Sequence, residues 1–202
     1  MNTNIDGSKK IQDFLKPRAN YGYDKNGKKK KSSYGNTNQG YFIPKNPSKY
    51  VGDVNNIVFR SGWEFKFLTL CDINDSIVKY SSESVHVPYI SPIDNKVHQY
   101  FIDMFIEIRC SDGKLAKWLL EIKPDKYIKM PLPPKKRTKK SLAAYEYHKK
   151  TTLINIEKFK SAKYWAKELG ANFGIIQMNR YNQQFSLIEF DENEPIKCTS
   201  DI

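Results

Sequence analysis

At 202 residues the chain is long enough for one medium-sized domain with a real core, plus tails. Its formal charge of +12 points to a polyanionic partner, nucleic acid before any other. Three widely spaced cysteines (Cys71, Cys110, Cys198) without a C-x-x-C pair argue against a zinc ribbon or a disulfide framework, and no apolar run approaches a membrane span, so a soluble intracellular protein is expected.

Residues 1–50 hold eleven Lys/Arg against three Asp/Glu, and residues 1–39 are rich in Lys, Asn, Gly and Ser with few apolar side chains. Such a segment cannot repay its ordering entropy alone. It reads as a basic N-terminal arm, flexible and able to lie on nucleic acid, although a solubilising tail has the same composition. From residue 40 the texture changes: the prolines and glycines of Gly40–Asp53 forbid a long helix and predict an ordered, turn-rich lead-in. A helix is expected next. Ser61 is a good N-cap, Glu64 stands where a capping box places its acid, and Phe67, Leu68 and Cys71 follow Glu64 on one stripe. That makes Glu64 both a capping candidate and a carboxylate heading a buried face, where it needs a cationic partner. Short strands are expected at Ile77–Tyr80 and Val85–Tyr89, and His86 and His98 read as structural or surface histidines.

Two runs then alternate with period two, Tyr100–Ile106 and Trp118–Lys123, separated by Cys110-Ser111-Asp112-Gly113-Lys114. Glu121 and Lys123 share one face of the second strand, with Trp118, Leu120 and Ile122 on the other. A two-residue turn at Asp112-Gly113 would set Asp103 opposite Ile122. A three-residue turn, Ser111-Asp112-Gly113 with Gly113 left-handed, sets Asp103 opposite Glu121 and Lys123 opposite Phe101. The three-residue turn is the one expected.

After Pro124 the chain is proline-stiffened and then densely basic through Lys135, Lys136, Arg137, Lys139 and Lys140; residues 126–150 hold nine Lys/Arg against one Asp/Glu. Residues 125–150 read as a basic flap or linker leaving the strand end that carries Lys123 and gripping neighbouring phosphates. A helix is predicted over Thr151–Leu169, with Phe159, Ala162, Ala166 and Leu169 on one stripe and Gly170 ending it. Strands at Phe173–Met178 and Phe185–Phe190 follow, and residues 191–202 read as a polar, frayed tail. The expected fold is α/β, a mixed central sheet flanked by helices over residues 40–190.

An acidic pair beside a lysine is what metal-assisted phosphodiester hydrolysis requires. A hard divalent cation such as Mg²⁺ is held by one or two carboxylates, acidifies a water and relieves phosphoryl charge. Asp103 and Glu121 read as its ligands, with Glu64 completing the set or acting on a bound water. Lys123 orients the attacking water or neutralises a phosphoryl oxygen. An E-x-K strand alone is weak support; the hairpin, the helix bearing Glu64 and the basic flap give it weight together.

Glu64, Asp103 and Glu121-Ile122-Lys123, with the Arg60-Ser61-Gly62-Trp63-Glu64 helix start, resemble the PD-(D/E)xK nuclease superfamily, in the branch with the endonuclease subunit of the Tn7-type transposase. Tyr41–Asp53, Val87–Pro92, Tyr100–Asp103, Glu121–Pro124 and the Asn155-x-x-Lys158 pattern are more closely similar to the head completion nucleases of T-even-like tailed phages. The likeness spans roughly residues 40–180, with Ile102 where the family carries proline and Phe159 where it carries tryptophan. It implies a restriction-endonuclease-like core and a deoxyribonuclease that uses Mg²⁺, tolerates Mn²⁺ and needs no small-molecule cofactor. Double-stranded DNA is the implied substrate, trimmed or cut during phage head completion, in the virion or the host cytoplasm, beside head and portal-neck proteins. Arg60 and Lys158 are implied to contact DNA. Two alternatives stay open: a transposase endonuclease subunit, and a non-catalytic DNA-binding head–neck protein.

Overall fold

The computed structural model describes residues 39–124, 127–178 and 184–190, and the backbone of 198–201. Apart from Gln39, the N-terminal arm lies outside the described residues, as do 191–197 of the C-terminal tail. The elements in order are β1 (Gly40–Tyr41), β2 (Val58–Phe59), α1 (Gly62–Ile73), β3 (Ile77–Ser82), β4 (His86–Ile90), β5 (Val97–Phe101), β6 (Met104–Arg109), β7 (Leu115–Ile122), α2 (Lys139–Glu168), β8 (Asn172–Met178), β9 (Phe185–Glu189) and β10 (Cys198–Asp201).

Six strands form the central sheet in the order β10-β9-β8-β7-β6-β3. β7 and β8 run parallel, joined through α2, and the remaining pairs are antiparallel. The sheet is therefore mixed and covered on both faces, the α/β sandwich with a restriction-endonuclease-like core that the resemblance implies. On one face α1 buries Phe67, Leu68 and Cys71 against Met104, Ile106, Leu120 and Ile176. On the other, α2 buries Phe159, Ala162, Trp165 and Ala166 against Phe105, Leu119, Phe173 and Ile175. The period-two alternation of β7 thus sends Leu119 to one core and Leu120 to the other.

The turn has the three-residue geometry. Gly113 adopts φ +81 and its N–H bonds Cys110 O, while Cys110 N–H bonds Lys114 O at 2.8 Å. Met104 pairs with Leu120 and Phe105 with Leu119, the register that brings Asp103 level with Glu121.

Four expectations need correction. Tyr100–Ile106 is not one strand. It breaks at Ile102 and Asp103, so β5 pairs with β4 in a separate hairpin and only β6 joins the sheet. Lys123 consequently does not face Phe101; its N–H bonds Ile176 O of β8. The break is stabilised by Ile102 N–H to Val85 O and Glu83 N–H to Asp103 O, both 2.9 Å. A proline at 102 could not make the first of these bonds.

The second helix begins at Lys139 rather than Thr151, so residues 139–150 of the expected flap are its first turns. Thr138 caps it in a box with Ser141, and good helix formers follow. The last correction is the tail, where residues 198–201 pair with β9 as an edge strand.

The turn-rich lead-in is anchored on buried Asp72, whose carboxylate accepts from Lys45 N (2.7 Å), Asn46 N (3.0 Å) and Tyr80 Oη (3.1 Å). His86 stacks on Phe101, and exposed His98 bonds Asp94 at 2.9 Å. No helix among the described residues is long and apolar enough to cross a membrane.

Candidate functional site

Three elements deliver the acidic residues to one end of the sheet. α1 supplies Glu64 from its first turn. Ser61 caps the helix by accepting from Glu64 N–H (3.2 Å), and the Glu64 carboxylate accepts from Ser61 Oγ (2.9 Å) and Arg60 N–H (2.7 Å). Capping and an inward-facing carboxylate therefore coexist. The bend between β5 and β6 supplies Asp103, whose Oδ2 accepts from Ile122 N–H at 2.9 Å. The side chain has taken an N–H of β7 at the point where the β6 backbone leaves the ladder.

β7 supplies Glu121, which is 2 % exposed. Its two oxygens are separately engaged: Tyr100 Oη donates to Oε2 at 2.5 Å, and Lys123 Nζ lies 2.7 Å from Oε1. Burial, reinforced by Glu121 and Asp103, holds the Tyr100 phenol well above its ordinary range, so it stays a donor.

The electrostatics are those of crowded acids with too little cation. Burial pushes Asp103 well above the usual carboxylate range, and the charges of Glu121 and Glu64 push the same way against Lys123. Burial also raises Glu64, partly offset by the hydrogen bonds from Arg60 and Ser61. For Lys123 burial works against the charge, but Glu121, Asp103 and Glu64 overturn it and the ammonium is held above its ordinary value. These acidic neighbours favour the charged ammonium of Lys123, which suits charge neutralisation.

These observations test the fit to a divalent cation. The donors are all carboxylate oxygens, the class that hard cations take, and their mutual repulsion is the charge imbalance that such a cation removes. Among the described residues no three His, Cys, Asp or Glu side chains already form a group able to hold a metal. The residues fit the group chemically, since each carboxylate keeps lone pairs beyond those its hydrogen-bond partners use.

The predicted DNA contacts divide. Lys135, Lys136, Arg137, Lys139 and Lys140 are all exposed, the last two on the first turn of α2. Lys158 lies over the rings of Tyr89 (5.5 Å) and Tyr100 (5.3 Å), which places it beside the tyrosine that binds Glu121. Arg60 is committed within the protein: Nε and Nη2 bind Glu83 Oε1 and Oε2, each at 2.9 Å. Glu83 itself adopts φ +47, a conformation unusual for a non-glycine residue. Its backbone N–H holds Asp103 and its carboxylate holds Arg60, so it links two of the acidic corners.

Glu83 carries no motif that marks it, and Tyr100, although part of the Tyr100–Asp103 motif, has no role marked there, since both act through a strand break that no periodicity announces. Sequence reading also missed a groove beside the site, lined by Trp63, Glu64, Lys123, Tyr127, Tyr147 and Asn155 among others. Asn155, which the sequence offers only as part of a pattern, is buried and donates to Tyr127 O at 2.9 Å.

Residues 74–178 match the family described as TnsA-like endonuclease N terminal. The matched stretch contains Asp103, Glu121, Lys123 and Lys158, and begins after Glu64. The chain is also 32% identical over 137 residues to the head completion nuclease of Enterobacteria phage T4, an alignment covering 68% of this chain and 89% of that protein. No solved structure matches.

Proposed function

The chain belongs to the TnsA-like endonuclease family, and from that premise we propose that it is a divalent-metal-dependent DNA nuclease of PD-(D/E)xK type acting in phage head completion. The observation that carries the reading is the register of β6 and β7, which brings Asp103 level with Glu121 while Lys123 Nζ sits 2.7 Å from Glu121 Oε1. Double-stranded DNA is the substrate, and cutting or trimming packaged DNA so that a filled head can accept a tail is the role. The length over which the chain follows the phage protein favours this role over that of a transposase subunit. The acidic cluster argues against a purely structural head–neck protein, because holding DNA gives no reason to bury carboxylates that repel it.

Asp103, Glu121 and Glu64 would hold the metal, with Mg²⁺ the natural ion and Mn²⁺ an acceptable substitute. When bound, it supplies an acidified water and a Lewis acid toward the phosphoryl oxygens. The rest is the chain's own work. Lys123, kept charged by its acidic neighbours, neutralises a phosphoryl oxygen. Tyr100 fixes the orientation of Glu121 through Oε2. The Ile122 N–H fixes Asp103. Exposed Lys135, Lys136, Arg137, Lys139 and Lys140 engage phosphates beyond the scissile one, and Lys158 approaches from α2.

The test is cleavage of linear and supercoiled DNA in Mg²⁺ or in EDTA, with Asp103→Ala and Lys123→Ala alongside the wild type. Cleavage should need the metal and vanish in both variants while DNA binding persists. Binding by the wild type without cleavage in Mg²⁺ or Mn²⁺ would overturn the enzymatic reading.

A further inference from the structure

The groove beside the acidic residues has a composition that phosphate chemistry does not explain. Alongside Glu64 and Lys123 its lining includes the aromatic residues Trp63, Tyr127 and Tyr147. Tyr127 is set in place: Asn155 holds its carbonyl, and its ring lies 5.7 Å from that of His148. Tyr147 packs edge-on to the same histidine at 5.7 Å, yet remains 64% exposed. Its ring contributes little burial to the fold.

A phosphodiester backbone seeks N–H, hydroxyl and cationic donors, and an aromatic face offers it nothing. A nucleobase has an apolar π-face that stacks on such rings whatever its identity. In an intact duplex that face is covered by neighbouring bases, so a ring standing beside the cleavage site can be used only where a base has left the stack.

Resting on the nuclease reading above, we infer that this groove is a subsite for an unpaired nucleobase, stacked on Tyr147 with Trp63 and Tyr127 as the remaining walls. The DNA class it selects is a frayed end, an overhang or a single-strand junction, with the adjoining phosphate directed toward Lys123. The subsite recognises the π-face and not the base edge, so it is indifferent to sequence.

The test separates stacking from cleavage. In an Asp103→Asn background, binding is compared between a blunt duplex and the same duplex with a short single-stranded extension, with Tyr147 intact, Tyr147→Ala or Tyr147→Phe. The intact groove should prefer the extended DNA by about tenfold, Tyr147→Ala should bring that ratio toward one, and Tyr147→Phe should keep it. A 5-iodouracil in the extension, irradiated in the complex, should crosslink to one of the three rings. Equal binding of the two DNAs, or a preference untouched by Tyr147→Ala, overturns the subsite even if the wild type cleaves DNA. Preference and crosslinking in a chain whose wild type never cleaves would keep the subsite and overturn the nuclease.

Discussion

Asp103 shows how the site trades stability for chemistry. Its carboxyl is buried beside Glu121 and Glu64, so the folded chain holds a proton that the unfolded chain has already released over the pH range above an ordinary aspartate value. In that window the native state binds more protons than the unfolded state, and stability falls as pH rises. Metal-free protein should therefore lose thermal stability as pH is raised from the ordinary carboxylate range. Asp103→Asn, which keeps an acceptor for Ile122 N–H, should flatten that dependence. It should also raise Tm in EDTA by a few degrees, at about 2–4 °C per kcal/mol for a domain of this size. Mg²⁺ should raise the Tm of the wild type and leave that of Asp103→Asn much less changed, since only binding to the native site stabilises it. Calorimetry in EDTA and in Mg²⁺ across pH checks all three. Glu83 acts on the same acids from one position removed. Because its carboxylate fixes Arg60, whose backbone N–H holds Glu64, Glu83→Gln should lower kcat about ten- to a hundredfold. DNA affinity should be nearly retained, a split that steady-state kinetics beside a binding titration would reveal. Glu64, Asp103, Glu121 and Lys123 were legible in the sequence because a cap spacing and a strand alternation mark them. Glu83 and Tyr100 were not, because what they touch is far along the chain and reached through a bend.

At the scale of elements, α2 is the instructive case. Its stripe of Phe159, Ala162 and Ala166 is visible in the sequence, but its first turns read as a solvated flap when charge is given more weight than capping. Thr138 and Ser141 exchange hydrogen bonds across the N-terminus, Ser141 N–H to Thr138 Oγ1 at 3.2 Å and Thr138 N–H to Ser141 Oγ at 2.9 Å. Thr138→Ala should cost about 1 kcal/mol, read from denaturant unfolding. At the other end Gly170 adopts φ +64 and Ala171 N–H reaches back to Ala166 O, the bond that closes a Schellman cap. Gly170→Ala should cost about 1 kcal/mol from the left-handed backbone alone. The early start of α2 also has a functional consequence. It puts Lys139 and Lys140 on a rigid helix, and it carries Tyr147 to the edge of the groove.

For the molecule as a whole, charge and topology divide the labour. The described core gathers Glu64, Asp103 and Glu121 at one end of the sheet, while exposed cations stand on the segment leading into α2. Replacing Lys135, Lys136 and Arg137 by Ala should weaken binding across all DNA sequences alike. It should also reduce the slope of log K against log salt by about 0.9 for each phosphate that the protein no longer neutralises, as titrations at several salt concentrations would show. The sequence by itself determined the buried stripes of Phe67, Leu68 and Cys71 on α1 and of Phe159, Ala162 and Ala166 on α2, and it led to the three-residue turn and, through it, the register that brings Asp103 level with Glu121. Each depends on short-range spacing, which a linear reading carries intact. Only the tertiary structure decided that the chain breaks at Ile102 and Asp103, that Lys123 lies beside β8 rather than Phe101, that Arg60 pairs with Glu83, and that three aromatic residues line a groove beside the acids. Those outcomes turn on which distant N–H, carboxylate or ring is nearest once both faces of the sheet are covered, and distance in space is what residue spacing does not encode.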